Sequence, residues 1–464
     1  MPQDLAHRHL LARDLAQARV TTDERAPLLG NPAKRASIFV MPCARVAQAP
    51  SWTAARTNET AGDCMSTLED AVLHHLQEIG AGLVDLRHEL HQHPSLSGDE
   101  GPTAARVARW LRTHTQARLI EGLGGAGLAA VFEPSNPTSD QTLLLRAELD
   151  ALPISEVEPL SYRSTAEGVS HKCGHDGHMA MLCGAARLLE RFGAAGRVVL
   201  LFQPAEETGE GACAVLADPR FDELRPDRAF ALHNLPGFPE GSVVLRGGTF
   251  ASASQGLWVK ASGETAHAST PHLGRSPALA LARMIQELTP LAAEALPGHR
   301  DAFITITHLE MGRPSYGVAP GEGELRATLR AASDEDLETL VRAAFTTVKR
   351  VAASEGIEAE IEHQERFAAS INDEGGTALV EQAAELAELP VVHLEEPLPW
   401  SEDFGQFLGR APGALFGLGA GAGAKPMHSA RYDFPDDLLT RGALCLFALT
   451  RAAFESPSDE ESER

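Results

Sequence analysis

The sequence predicts an α/β protein: a mixed sheet flanked by helices, interrupted by a smaller α+β unit of ferredoxin-like order. Three observations carry that expectation. The segments 142–149, 197–203 and 229–234 are apolar along their length and deliver polar groups at their carboxyl ends, which is where open α/β sheets place their sites. Between 255 and 363 the pattern runs strand, helix, strand, strand, helix, strand, the order of a ferredoxin-like unit with helices on one face. The octapeptide His171-Lys-Cys-Gly-His-Asp-Gly-His178 crowds metal-competent groups just ahead of a helix-forming run that follows from Met179.

The length of 464 residues suggests two or three domains and a large core. The formal net charge of −24 argues against a general binder of nucleic acid or of anionic membranes. Six cysteines, Cys43, Cys64, Cys173, Cys183, Cys213 and Cys445, are sparse and unevenly spaced. That pattern predicts no disulfide framework and fits a reducing, cytoplasmic setting. No apolar run is long enough to span a membrane.

Residues 1–64 mix Ala, Arg, Thr and Pro with weak periodicity, and the character changes at Met65. The expectation is that the functional protein begins near Met65, with 1–64 as a poorly ordered or non-native extension. Ser66 or Thr67 can cap a helix from Leu68 to about His93, with Leu76, Ile79, Leu83, Leu86 and Leu90 on one face. Pro94 to Gly101 breaks the pattern, and a second helix covers Thr103 to Thr113. The first part of the larger domain is expected over 65–251 and the inserted unit over 252–366. That unit comprises a strand at 255–261, a helix from Pro277 to about Leu296, strands at 302–308 and 324–331, a helix from Asp334 to Ala353 and a strand at 358–363. The larger domain resumes over 367–455 with a helix through Val380 to Leu386, a short strand at Val391-Val392, Gly-rich turns at 413–424 and a helix from Leu438 to Phe454. The tail 456–464 is polar and acidic, and is expected to be disordered.

The chemistry rests on donor types. In the octapeptide Cys173 offers a thiolate, His175 and His178 imidazoles and Asp176 a carboxylate, while Gly174 and Gly177 let the backbone turn tightly. Thiolate and imidazole suit zinc, cobalt, nickel or iron and are poor for calcium or magnesium. Three further segments offer candidates: Glu206 and Glu207 at a strand end, His233 after a buried strand, and His428 after the Gly-rich stretch. Adjacent glutamates point apart, so one can ligate while the other takes a proton from water that a metal has acidified. At this level each lone histidine is open between ligand and ordinary core or surface residue, His428 above all. A serine nucleophile is disfavoured because no Gly-x-Ser-x-Gly elbow occurs. Dinucleotide binding is disfavoured because Gly417-Leu-Gly-Ala-Gly-Ala-Gly423 lacks a following helix pattern.

Taken together, the motifs resemble the metal-dependent amidohydrolases related to aminoacylase and carboxypeptidase, and within them the branch of hippurate hydrolases and indole-acetyl-amino-acid hydrolases. The resemblance covers about Leu83 to Thr450. It is carried by Leu-Arg-His-Glu-Leu-His-Gln-His-Pro (86–94), Arg-Ala-Glu-Leu-Asp-Ala-Leu-Pro (146–153), Cys-Gly-His-Asp-Gly-His (173–178) and Phe-Gln-Pro-Ala-Glu-Glu (202–207). Leu-His-Asn (232–234), Ser-Glu-Asp-Phe (401–404) and Met-His-Ser (427–429) complete it. It implies a metallopeptidase-type α/β domain interrupted by a smaller lid, of the kind that mediates dimerisation. It also implies two divalent metal ions (zinc, manganese, cobalt or nickel) held by Cys173, His175, Glu207, His233 and His428. Glu206 becomes the general base, His267 of the lid the group that holds the substrate's carbonyl oxygen or carboxylate, and Asp150 and Asp176 carboxylates that support the centre.

The implied substrate is a small N-acyl amino acid or conjugate, and the implied assembly a homodimer or homotetramer. A dipeptidase or carboxypeptidase with the same machinery, and a metal-binding or ligand-binding protein that has lost catalysis, are the alternatives. Retention of both Glu206 and Glu207 argues against the latter. This chain departs from the pattern twice. Glu148 stands where Asp is frequent, and Gly317-Val-Ala-Pro320 stands where the branch usually has Asn-Val-Ile-Pro. Arg313, Tyr316 and Arg326 are the candidates to replace the missing amide.

Overall fold

The structure, a computed structural model, describes residues 67–455. The expected extension over 1–64 and the expected tail over 456–464 lie outside the described residues.

The chain opens with α1 (Leu68–Gln92) and α2 (Gly101–His114). Thr67 caps α1 by accepting the Asp70 amide at 3.2 Å, and Leu76, Leu83, Leu86 and Leu90 form its buried stripe. A hairpin absent from the sequence reading follows, β1 (Arg118–Leu123) and β2 (Gly127–Phe132). Next come β3 (Thr142–Glu148), α3 (His175–Phe192), β4 (Arg197–Gln203), α4 (Gly211–Ala217), β5 (Arg228–Leu235), β6 (Val243–Leu245) and β7 (Gly248–Ala251). The inserted unit contains β8 (Ala253–Ser262), β9 (Ala266–His267), α5 (Ala278–Ala295), β10 (Phe303–Met311), β11 (Val318–Ala319), β12 (Glu322–Ala331), α6 (Asp334–Glu355) and β13 (Glu358–Phe367). The chain then runs through β14 (Ser370–Asn372), α7 (Glu374–Leu386), β15 (Val391–His393), α8 (Gly405–Leu408), β16 (Gly413–Gly419) and α9 (Leu438–Glu455).

The large sheet has eight strands in the order β1-β2-β4-β3-β5-β16-β6-β15. β3 lies parallel to both β4 and β5, and β16 lies parallel to β5. The β1–β2 hairpin enters antiparallel to β4, and β6 is antiparallel to β16, so the sheet is mixed. Alternate side chains feed two cores. Leu143, Leu145, Val198, Leu200 and Phe202 join the residues of α1, α3, α7 and α9, whereas Leu144, Val199 and Leu201 pack with Phe221, Phe404 and Phe407 on the other side. Burial on both faces is why these strands read as unbroken apolar runs. Because β3, β4 and β5 are parallel, their carboxyl ends share one rim, and the rim carries the site.

The Gly-rich stretch corrects the sequence reading. Residues 413–419, expected as turns, form β16, a wholly buried strand. Its glycines occupy places where a side chain has no room: a Cβ on Gly413 would lie 1.7 Å from the Ala229 carbonyl oxygen, and one on Gly419 2.0 Å from that of Pro239. Glycine here marks close backbone approach rather than a bend.

The inserted unit is a four-stranded antiparallel sheet, β10-β12-β8-β13, with α5 and α6 packed on it. This is the ferredoxin-like arrangement that the strand and helix order predicts. Ser333 caps α6 by accepting the Asp336 amide at 3.1 Å, and Gly356 ends it at φ +65°.

Candidate metal centre

The organising octapeptide is part loop and part helix. Gly174, at φ +100°, is the N-cap of α3, so His175, Asp176 and His178 lie in its first turn. Glycine is required at 174 twice over: by the positive φ, and because a Cβ would sit 2.2 Å from the Asn234 side-chain oxygen. The tight turn brings Cys173 against the end of β5 and His175 against the end of β3.

Four segments converge there. Cys173, His175 and Glu207 present donor atoms that all lie within 4.8 Å of one another. His233 Nε2 is 3.5 Å from Cys173 Sγ, and His428 Nε2 is 3.5 Å from Glu207 Oε1. The five side chains expected to hold metal are therefore linked in one group, although they span residues 173 to 428. His428 is held at φ +62°, and its amide donates to the Lys172 carbonyl at 2.8 Å, which ties its segment to the octapeptide. Its side chain is about half exposed, at 53%, and forms the open side of the group.

The hydrogen bonds fix which nitrogens face the hollow. A carbonyl oxygen can only accept, so His175 Nδ1 donates to Asp150 O at 2.9 Å and His233 Nδ1 donates to Asn234 O at 2.9 Å. Both histidines thereby turn Nε2 inward. The buried atoms His175 Nε2 and Glu207 Oε1 have no hydrogen-bond partner. Unpartnered polar atoms are costly inside a protein, and thiolate, imidazole and carboxylate are the donors that transition metals take. The residues fit a metal centre.

Electrostatics set which of these donors carry protons. Burial, reinforced by the neighbouring His178, holds the His233 imidazole well below the ordinary histidine range and keeps it neutral. Burial and then Glu207 and Glu206 push the Cys173 thiol up. Burial works against charge on His175, but the carboxylates of Glu148 and Asp150 overcome it and raise the imidazole to about 10. Metal binding displaces such protons.

Asp150 is buried beside the group. Its Oδ2 accepts the Glu207 amide at 2.9 Å and the Ser97 hydroxyl at 2.7 Å, and its Oδ1 lies 3.3 Å from His175 Nδ1. Asp176, expected to support the centre as well, faces elsewhere. Its Oδ2 takes Arg87 Nε at 2.9 Å and His91 Nδ1 at 2.8 Å, so it clamps α3 to α1 because its place in the first helical turn directs it toward α1. His178, whose imidazole the sequence offers as a donor, bonds Glu148 at 2.7 Å through Nδ1, and its Nε2 meets Asn234. Glu148, His178, His175 and His233 form a second metal-competent set, but its Glu148 and His178 are already joined to one another.

Glu206 is buried next to Glu402 and Asp403, with carboxylate oxygens within 4.8 Å of one another. Burial, then Glu402 and Glu207, push its carboxyl well above the usual range. The counterweight is Arg146, wholly buried, which donates to Glu402 at 2.8 Å, to Asp403 at 2.7 Å, to Gln203 at 2.9 Å and also to Glu148. Sequence reasoning assigned no role to Arg146, Gln203, Glu402 or Asp403. The only signal was that they lie inside the motifs at 146–153, 202–207 and 401–404.

His267 is not brought to the group. It is exposed on β9, and Val318 of β11 is its strand partner. Nδ1 accepts the Ser269 amide at 3.1 Å and lies 2.7 Å from the Ser269 hydroxyl, which leaves Nε2 as the N–H donor. The Ala268 amide donates to Gly317 O at 3.0 Å, so Gly317, where the resemblance leads one to expect Asn, sits beside His267. Of the expected substitutes, Tyr316 is fully exposed. Arg326 is taken up by Glu324 at 3.1 Å and by the Trp258 ring at 4.3 Å.

A buried group of thiol, imidazole and carboxylate donors with a spare carboxylate at its side is the equipment of a metal-dependent amidohydrolase, and comparison with known proteins places the chain in that class. The sequence model of peptidase family M20/M25/M40 matches residues 144–452, and the chain belongs to that family. It is 30% identical over 409 residues to N-acetyl-L-cysteine deacetylase of Bacillus subtilis (strain 168), covering 87% of this chain and 95% of the relative. It is 31% identical over 360 residues to hippurate hydrolase of Campylobacter jejuni subsp. jejuni serotype O:2, covering 77% and 93%. Among solved structures it is similar to a dinuclear metal-binding peptidase of this family from Bacillus subtilis, with a TM-score of 0.69, 26% identity and coverage of 82% and 99%.

Proposed function

We propose that the protein hydrolyses the amide bond of an N-acyl amino acid or a related conjugate, within the branch of hippurate hydrolases and indole-acetyl-amino-acid hydrolases. The observation that carries this is the convergence of Cys173, His175, Glu207, His233 and His428 with Glu206 alongside. The similarity to an N-acetyl-L-cysteine deacetylase and a hippurate hydrolase supports the substrate class. The five donors would hold two divalent ions, zinc, manganese, cobalt or nickel, as the dinuclear relative suggests. When bound, such ions polarise a carbonyl and acidify water.

In this reading Glu207 ligates, since its Oε1 groups with Cys173 and His175. Glu206, whose Oε2 lies 3.7 Å from His175 Nε2, accepts the proton of the attacking water and passes it to the leaving amine. Asp150 fixes the tautomer and orientation of His175 through its carbonyl, and receives the Glu207 amide on its carboxylate. His267 donates Nε2–H to the developing oxyanion when the unit at 252–366 closes over the domain formed by 65–251 and 367–455, or when a neighbouring subunit presents it. A homodimer or homotetramer in the cytoplasm fits this reading. No helix among the described residues is long and apolar enough to cross a membrane.

The test is hydrolysis by the purified protein, loaded in turn with manganese, cobalt and zinc, of a panel of N-acetyl, N-benzoyl and indole-acetyl amino acids. Dipeptides run beside them. Turnover of dipeptides alone would transfer the assignment to a dipeptidase, and turnover of none, with metal bound, to a binding protein.

A further inference from the structure

After β4 ends at Gln203, the chain must direct two consecutive carboxylates to different places. Glu207 goes to the donor group and Glu206 to the Glu402–Asp403 pair. The turn that does this begins at Ala205, which sits at φ +49°. A residue with a Cβ rarely adopts that backbone and keeps it only where its surroundings hold it.

The surroundings are specific. The Ala205 amide donates to Glu100 Oε1 at 2.7 Å, and the Ala205 carbonyl accepts the Gly211 amide at 3.0 Å. Glu100 stands at the N-cap of α2 yet makes no side-chain cap to its own helix. Its carboxylate is fully buried and bridges Ala205 N and Gly98 N, the latter at 3.0 Å, while its other oxygen has no partner. Burying a carboxylate this way is costly, and the turn it holds is the one that carries the glutamates. The same loop reaches the next residues too: Ser97 donates to the Asp150 carboxylate that receives the Glu207 amide.

We propose that Glu100 is a positioning residue for the glutamate pair: by holding the left-handed backbone at Ala205 it sets the directions of Glu206 and Glu207. The inference rests on the proposed function for what the two glutamates do. Glu100 touches neither substrate nor the donor group and acts through the turn. Glycine populates positive φ freely, so Ala205→Gly should make the turn less dependent on Glu100.

The experiment compares Glu100→Ala, Glu100→Gln, Ala205→Gly and the double variant Glu100→Ala/Ala205→Gly in the metal-loaded, full-length protein. It reads kcat, KM, metal content, melting temperature and amide exchange over 204–209. Glu100→Ala should lose at least roughly tenfold in kcat with little change in KM, since small misplacements of reacting groups cost that much, and its exchange over 204–209 should speed up. Glu100→Gln keeps an acceptor oxygen and should retain most of kcat, and the double variant should recover to near Ala205→Gly. Normal kcat and unchanged exchange in Glu100→Ala overturn the proposal. So does a double variant that stays as slow as Glu100→Ala, which is the outcome if Glu100 only braces the fold. Should Glu100→Ala fail to fold, Glu100→Asp, whose shorter side chain withdraws the acceptor, carries the same two expectations. Wild-type protein that cleaves no N-acyl amino acid refutes the proposed function alone, because exchange over 204–209 still decides the role of Glu100.

Discussion

His175 and Asp150 are joined by a 2.9 Å hydrogen bond from the imidazole Nδ1 to the Asp150 main-chain carbonyl, and that bond determines which nitrogen faces the donor group. Since the carbonyl can only accept, Nδ1 keeps its hydrogen and Nε2 is left to hold a proton or a metal. His233 is set in the same way by the carbonyl of Asn234. The orientation of both imidazoles is a property of the strand ends.

Removal of a donor should remove metal. Cys173→Ala and His233→Ala are expected to lose bound metal and hydrolysis together, with the fold retained. A ligand that binds only the folded state stabilises it by about 2.7 kcal/mol at a hundred times its Kd. Added metal should therefore raise the melting temperature of chelated wild type and do so far less for either variant. Full metal stoichiometry in both would remove these residues from the centre.

The two adjacent glutamates should behave differently. Glu206→Gln is expected to keep its metal and melt normally while kcat falls by at least roughly 100-fold, the scale of a lost general base. Glu207→Gln should instead weaken metal binding. Metal analysis beside kinetics decides the order, and the reverse pattern would exchange the two roles.

His267 makes no contact with the donor group in this arrangement, so its loss should spare metal content and stability. If it donates to the oxyanion, His267→Ala lowers kcat by roughly 100-fold or more, the cost of one missing oxyanion donor. A near-normal kcat with an altered melting temperature would instead make it a residue that shapes the β9 turn.

Gly413→Ala tests the buried glycine strand. Its Cβ would meet the Ala229 carbonyl at 1.7 Å, a backbone atom that cannot turn aside, so denaturant unfolding should show a loss of about 3 kcal/mol or more. An unperturbed midpoint would mean that β16 and β5 can separate at no cost.

Much of this protein could be read from its residues. The strands β3, β4 and β5 were legible because a strand buried on both faces records that burial as an unbroken apolar run, and α1 because its leucines repeat at helical spacing. The inserted unit was legible because six elements follow one another in an order that few arrangements satisfy. The β1–β2 hairpin is not legible in the sequence, since β1 is half-exposed at the sheet edge and carries no clean pattern. Nor is β16, because glycine reads locally as a turn, whereas here it answers to a backbone that lies beside it only in three dimensions.

The sequence by itself determined which chemical groups were available: the Cys173 thiol, several imidazoles and a pair of adjacent carboxylates, all but His428 placed near a strand end or a helix start. Side-chain type and local period are properties of neighbouring residues, and neighbours are what a sequence records. Only the tertiary structure decided which of those groups meet. His428 joins Glu207 across more than two hundred residues, Asp176 turns away to Arg87, and Arg146 gathers Glu402 and Asp403 beside Glu206. Those meetings depend on strand order and on single backbone hydrogen bonds that orient a ring or a turn. No local pattern encodes them, because Glu207 for His428, Arg87 for Asp176 and Asp150 for His175 each lie on a different segment of the chain.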